Sequence, residues 1–182
     1  MAALSHKRNI FILALSLICF INTIEATSGS VRVVTKDELA KKNGEDSDEL
    51  WLGILGKVYD VTEGKQFYGK GSPYSIFVGR DGSAAFATGD FTPEGAAKSI
   101  FETLTPQQLL AVSDWTQFYE KEEKYKFVGV LEGELYDKDG NPTEILKKIE
   151  ETVAIERAAL EEKKRERKLK KEQEKLEKTE EL

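Results

Sequence analysis

Apolar positions are spread unevenly along this chain, and their spacing changes character several times. Ile10 to Ile24 form an apolar run broken only by Ser16, Asn22 and Thr23. Residues 27–33 read as a short linker. Thr35, with Glu38 three places later, has the form of a capping box opening a short helix. The stretch "ELWLGILGKVYDVT" (49–62) is rich in apolar and β-prone residues with Gly56-Lys57 between its halves, which predicts a hairpin or two short strands. Ser72 followed by Pro73 predicts a helix start running through "YSIFVG". Asp81 then caps a second small-residue helix, "GSAAFAT", and a loop follows over 90–97.

Residues 105–124 carry the clearest helical pattern. Thr105, Pro106 and Gln108 supply the cap, the first position and the box, and Leu109, Val112, Trp115 and Tyr119 recur at core-facing spacing. "YKFVGVLEG" (125–133) predicts a strand. "DKDGNP" (137–142) starts like a calcium loop, but Pro142 and Lys148 occupy the positions that need glycine and glutamate, so it reads as a turn. From Thr143 the pattern is helical again. Leu146, Ile149, Val153 and Leu160 form a short apolar stripe, and 161–182 is almost wholly Glu, Lys and Arg. Pairs such as Glu161–Arg165 support a solvated, partly frayed helix. Leu169 and Leu176 alone do not sustain a coiled-coil seam.

Composition adds a compartment and removes several chemistries. His6, Lys7 and Arg8 precede the apolar run, whose 15 or so residues fall short of a ~30 Å hydrocarbon layer. The expectation is a signal peptide over 1–26 cleaved after Ala26, with an uncleaved N-terminal anchor as the alternative. Secretion is the expected destination. "TEEL" (179–182) shares only its last two positions with an endoplasmic-reticulum retrieval signal, so lumenal retention is the alternative. The only histidine, cysteine and methionine are His6, Cys19 and Met1. The mature chain is therefore expected to build no disulfide, no Cys/His zinc site and no Ser-His-Asp triad. A net charge of −6 argues against nucleic acid as a partner. No stable membrane span is expected.

Between these elements lies the densest candidate chemistry. "GKVYDVTEGKQFYGKGSPYSIFVGRDGSAAFATGDF", with "LTPQQLLAVSDW" and "YEKEEKYKFVGVL", resembles the cytochrome b5-like haem-binding domain of the membrane-associated progesterone receptor family. The resemblance covers about residues 32–142. It implies an α+β, cytochrome b5-like fold, a small sheet with paired short helices, followed here by a charged helical tail over 143–182. It implies haem b as cofactor, with Tyr74 on the iron and Tyr68 hydrogen-bonded to a propionate. Lys124 then serves the other propionate, and Tyr125 hydrogen-bonds the ligand oxygen. The residues agree: with no histidine, cysteine or methionine in the expected mature chain, a tyrosine phenolate is the remaining standard axial ligand. Taken without the resemblance, these tyrosines read as half-buried packing residues beside Gly/Pro turns. Arg80 and Asp81 read as braces of the helix pair, and Trp51, Phe77, Phe86 and Trp115 as core. Tyr59 is left open between inward and outward.

The function expected is a secreted or lumenal haem-binding protein, not an enzyme, with a signalling role of the neuronal-differentiation type or a haem-handling role. An electron carrier, a steroid-receptor component and a haem-free scaffold are the alternatives. A cell-surface receptor and a second copy joined through haem faces are the partners the resemblance suggests. The tail beyond about Glu150 is expected to be dispensable for haem binding.

Overall fold

The computed structural model describes residues 31–180, apart from 97 and 100–102. The expected signal segment and its cleavage point lie outside the described residues. The fold is α+β, as the sequence predicts. Strands β1 (Val33–Val34), β2 (Trp51–Ile54), β3 (Lys57–Asp60) and β4 (Lys126–Leu131) form one sheet in the order β1-β4-β3-β2. β1 runs parallel to β4, and the other neighbours are antiparallel. The short helices are α1 (Lys36–Ala40), α2 (Lys65–Tyr68), α3 (Ser83–Thr88) and α4 (Pro93–Ala96). The two long ones are α5 (Pro106–Lys121) and α6 (Glu144–Glu180).

The predicted hairpin is β2–β3. Its two-residue turn places Leu55 and Gly56 at φ 49° and 70°, the left-handed region that glycine enters at no steric cost. The turn is held from a distance. Leu55 N–H donates to Ser83 Oγ at 2.6 Å, and Gly56 N–H donates to the Asp81 carboxylate at 3.3 Å. Asp81 also accepts from Ser83 N–H at 2.9 Å. The bracing role read for Asp81 is therefore a three-way tie between the hairpin and the start of α3.

Five local expectations come out differently, and the first is the loop over 90–97, which holds α4. The linker over 27–33 ends in a strand, because Val33 and Val34 pair with Val130 and Leu131. The Thr35 cap forms, with Glu38 N–H donating at 3.1 Å, but the Glu38 carboxylate pairs with Arg32 and leaves the box half made. No helix starts at Ser72. Its hydroxyl donates to the Phe67 and Gly69 carbonyls instead of capping, and only a 3₁₀ turn, Ser75–Phe77, follows. Successive i→i+3 bonds from Ser75, Phe77 and Val78 make that tighter turn. Trp115, finally, sits at the border of the α5 stripe and is 40% exposed, while Thr116 takes the buried position and donates to Val112 O at 3.0 Å.

The main core lies between the sheet, α3, α5 and the start of α6. Leu146, Ile149 and Val153 are buried in it, and Arg157 reaches Asp114 at 2.7 Å. The sequence divides the chain at 142/143, whereas the first turns of α6 belong to the same packed unit. The reason is physical: that short stripe has the apolar face of α5 to cover. Beyond it, Ala158–Glu177 are exposed throughout. A second, smaller cluster holds Trp51 on the other side of the sheet from Tyr59, with Arg32 and Lys42 over the indole ring at 5.1 and 4.9 Å.

Candidate haem site

Tyr68 closes α2, and the chain must turn back to bring Tyr74 beside it. Gly69 N–H donates to Lys65 O at 2.8 Å, ending the helix. Gly71 takes φ 79°, a left-handed value, and Tyr74 N–H then donates to Phe67 O at 3.1 Å. The loop thereby closes on itself, and the Tyr68 and Tyr74 ring centroids lie 6.0 Å apart. Tyr68 is 5% exposed and Tyr74 39%.

The other candidates arrive from the far end of the domain. Tyr125 N–H donates to Glu122 O at 2.9 Å in the turn that joins α5 to β4. This sets the buried Tyr125 ring edge-on to Tyr68 at 5.8 Å. Lys124, half-exposed, has its ammonium 4.9 Å from the Tyr125 ring centroid and 5.9 Å from that of Phe67. Its nearest carboxylate, on Glu122, is 3.9 Å away, a loose pair that leaves the ammonium available to another anion. The four residues named from the sequence thus meet in one neighbourhood.

Two further tyrosines complete it. Tyr119 on α5 pairs its hydroxyl with that of Tyr68 at 2.8 Å, both buried. Burial, reinforced by the Tyr119 and Tyr125 hydroxyls, pushes the Tyr68 phenol far above its ordinary value. Burial does the same to Tyr119 and Tyr59. These phenols keep their protons, and one hydrogen bond joins the Tyr68 and Tyr119 hydroxyls as neutral groups. Tyr59 faces inward, stacked on Tyr119 at 5.4 Å, and its buried hydroxyl has no partner among the described residues.

Sequence reasoning missed the rim. Tyr74 stacks on Phe77 at 6.0 Å, Phe77 on Phe86 at 4.0 Å, and Phe86 meets Trp115 at 5.6 Å. Trp115 meets Phe118 at 5.7 Å, and Phe118 meets Tyr125 at 6.2 Å. With Tyr68 this is a closed ring of aromatic contacts around Tyr119, and Phe91 joins it through Phe77 at 5.3 Å. Phe67, Tyr74, Phe91, Trp115 and Phe118 are all exposed on it. Clustered exposed aromatics mark a surface that binds something apolar. Only Phe118 (i+3 from Trp115) and Phe91, at the end of the quoted motif, could have signalled this.

Haem fits this residue set. An open aromatic surface suits a flat apolar macrocycle, the Lys124 ammonium at its edge suits carboxylates, and Tyr74 carries an accessible phenol oxygen of the kind that can ligate iron. A separate cavity of about 620 Å³, lined by Lys36, Gly56, Arg80, Asp81, Leu131 and Leu135 among others, contains none of these residues.

Residues 35–132 match the cytochrome b5-like heme/steroid binding domain. A neuferricin homolog of Drosophila pseudoobscura pseudoobscura is 46% identical over 121 residues, covering 65% of this chain and 41% of that protein. Neuferricin of Xenopus tropicalis is 42% identical over 116 residues (63% and 41%). Membrane-associated progesterone-binding protein 4 of Arabidopsis thaliana is 44% identical over 117 residues (64% and 46%). The chain thus spans less than half the length of these three relatives. Among solved structures, a hypothetical Arabidopsis thaliana protein described as having a cytochrome b5 like fold is 31% identical with a TM-score of 0.50, covering 61% of this chain and 100% of that one. A putative steroid-binding protein from Arabidopsis is 34% identical, also at 0.50, covering 57% and 99%. With more than half its length matched and the fold shared, this chain belongs to the cytochrome b5-like heme/steroid binding domain family, in the membrane-associated progesterone receptor group that includes the neuferricins.

Proposed function

We propose that this domain binds haem b through the Tyr74 phenolate, and that the protein is a secreted or lumenal haem-binding protein acting in extracellular signalling or haem handling, not a catalyst. The observation that carries the reading is the contrast between Tyr74, exposed on an aromatic surface, and Tyr68, Tyr119 and Tyr125, buried behind it. Ferric haem, when bound, would supply the positive charge that stabilises a phenolate ligand there. The chain's own residues do the rest. Tyr74 offers the oxygen, and Tyr125, buried against the Tyr68 ring, is the donor proposed for that oxygen. Lys124 offers an ammonium to one propionate. Tyr68, held protonated, offers its hydroxyl to the other, exchanging its bond with Tyr119 for one to a carboxylate. Phe91, Trp115 and Phe118 supply apolar contact that keeps water from the ring face. Phenolate ligation favours ferric iron, which weighs against an electron-carrier role.

The test is the colour of the purified full chain loaded with ferric haem. The wild type should show a phenolate-to-iron charge-transfer band, and Tyr74→Phe should lose it while keeping its fold. Tyr68→Phe should weaken binding by the ~1.5–3 kcal/mol of a hydrogen bond to a charged group. Retention of the band and full occupancy by Tyr74→Phe overturns the assignment.

Steroid binding is a second reading, favoured by the same exposed aromatic surface and by the progesterone-binding and steroid-binding names of two relatives. Saturation of the site by a steroid with no haem uptake decides for it.

A further inference from the structure

The charged end of α6 is not uniform. Of the nine residues 163–171, "KKRERKLKK", all but Glu166 and Leu169 are Lys or Arg, in a chain of net charge −6. The helix is continuous through them, and every side chain is exposed. At 3.6 residues per turn, Lys163, Lys164, Arg167, Lys168, Lys170 and Lys171 fall within an arc of about 160° along roughly 12 Å of axis. Glu166 flanks the arc beside Lys170, and Leu169 lies opposite it. Lys164 pairs with Glu161 at 2.7 Å, both well exposed, a contact of little worth. The other five make no ion pair among the described residues. Local neutralisation of the kind expected from the Glu/Lys alternation is therefore limited to that one exposed pair where the charge is densest.

The geometry points to a docking face for a linear sulfated polysaccharide. A continuous row of cations on one side of a rigid helix matches a polymer that carries anionic groups along its length. Two rival polyanions fit less well. From Glu144 onward the chain has no Phe, Tyr or Trp, so nothing on the helix stacks on unpaired bases. Leu169 and Leu176 stand alone on the far side and give no apolar face to enter a bilayer. The choice of a polysaccharide rests on the secretory routing in the function proposed above. The cationic face itself does not depend on haem.

The full chain should be retained on immobilised heparin although its net charge is negative. A contact of about six charges to a polyanion should weaken by on the order of a thousandfold between roughly 50 and 200 mM salt, as counterion release requires. Replacing Lys163, Arg167, Lys170 and Lys171 together by glutamine, which keeps helix propensity, should lower affinity by on the order of a hundredfold. Haem occupancy should not change. Bound heparin should also shield the wild-type Lys163–Lys171 amines from acetylation, a readout independent of the variant's folding. Flow-through of the wild type, retention of the variant, or unshielded amines overturns the proposal. Equal or tighter binding to desulfated heparin, duplex DNA or phosphatidylserine vesicles overturns the choice of occupant. A haem-free protein that still binds heparin refutes only the haem reading.

Discussion

Of the six tyrosines, Tyr59, Tyr68, Tyr119, Tyr125 and Tyr136 are buried and Tyr74 alone stands open. The buried ones carry a pH consequence. Tyr59, Tyr68 and Tyr119 have phenols raised above the ordinary 10.0 by burial. Below about pH 10 both folded and unfolded chains keep these protons, and the stability they contribute is fully present. As pH climbs from there towards the folded values, only the unfolded chain releases them, and stability falls. Urea midpoints should therefore drop steeply above about pH 10, and removing Tyr68 and Tyr119 hydroxyls together should flatten that slope. At neutral pH the double change to Phe should cost less than either single change, since a lone buried hydroxyl left behind costs ~1–3 kcal/mol. A double variant as damaged as the sum of the singles would show that the pair is not a unit. Gly64 is a second test. A Cβ there would meet the Tyr125 hydroxyl at 2.9 Å and the Tyr68 ring at 3.0 Å, so Gly64→Ala should destabilise by about 1–3 kcal/mol and weaken haem uptake. That Tyr68, Tyr74, Lys124 and Tyr125 lie in one neighbourhood was legible because the motif that carries them is long and unusual. The places of Gly64 and Tyr119 were not. Their roles arise only when α5 and the Tyr125 turn come together across the site.

Among the elements, α5 and α6 divide the labour. The Thr105–Gln108 box starts α5 with both reciprocal bonds, Gln108 N–H to Thr105 Oγ1 at 3.3 Å and Thr105 N–H to Gln108 Oε1 at 2.9 Å. Thr105→Ala should cost ~1 kcal/mol in a denaturation midpoint, with haem affinity little changed. The fate of truncations follows from burial. A chain ending at Ala159 should match the full chain in stability. One ending at Thr143 loses Leu146, Ile149 and Val153, each worth ~1.5–3 kcal/mol when fully buried, and should fall by several kcal/mol. Ending at Glu150 removes Val153 and the Arg157–Asp114 contact, so stability should drop even though no residue of the proposed haem site is lost. Equal midpoints for all three chains would mean that α6 does not pack as described. The hairpin, α5 and β4 were legible because each carries its periodicity within its own residues. β1 was not, since two valines acquire a strand's identity only from β4, and the Ser72 helix failed because carbonyls of the preceding turn captured the capping hydroxyl.

At the scale of the whole protein, the readings of compartment and of packed domain come from separate parts of the chain. Among the described residues no helix is long and apolar enough to cross a membrane. Protein recovered from culture medium should begin near Thr27. An intact N-terminus found only in the membrane fraction would indicate an anchor instead. The tail was legible as a charged helix, but its first turns were not legible as core, because Leu146, Ile149 and Val153 gain that meaning only once α5 presents a surface to receive them, while Leu160 of the same stripe stays exposed.

The unequal burial of α6 has a mechanical consequence. Its 37 residues measure about 55 Å at 1.5 Å per residue, yet the anchorage ends near Arg157. Everything beyond is a lever roughly 35 Å long, clamped at one end, with no lateral support. In solution such a shape drags. The protein should elute from a sizing column ahead of spheres of its mass, tumble anisotropically, and give a scattering profile with a long tail in its distance distribution. A force or a tether applied at Glu177 is delivered, through one continuous rod, to the clamp beside α5 and so to the helix that carries Trp115, Phe118 and Tyr119.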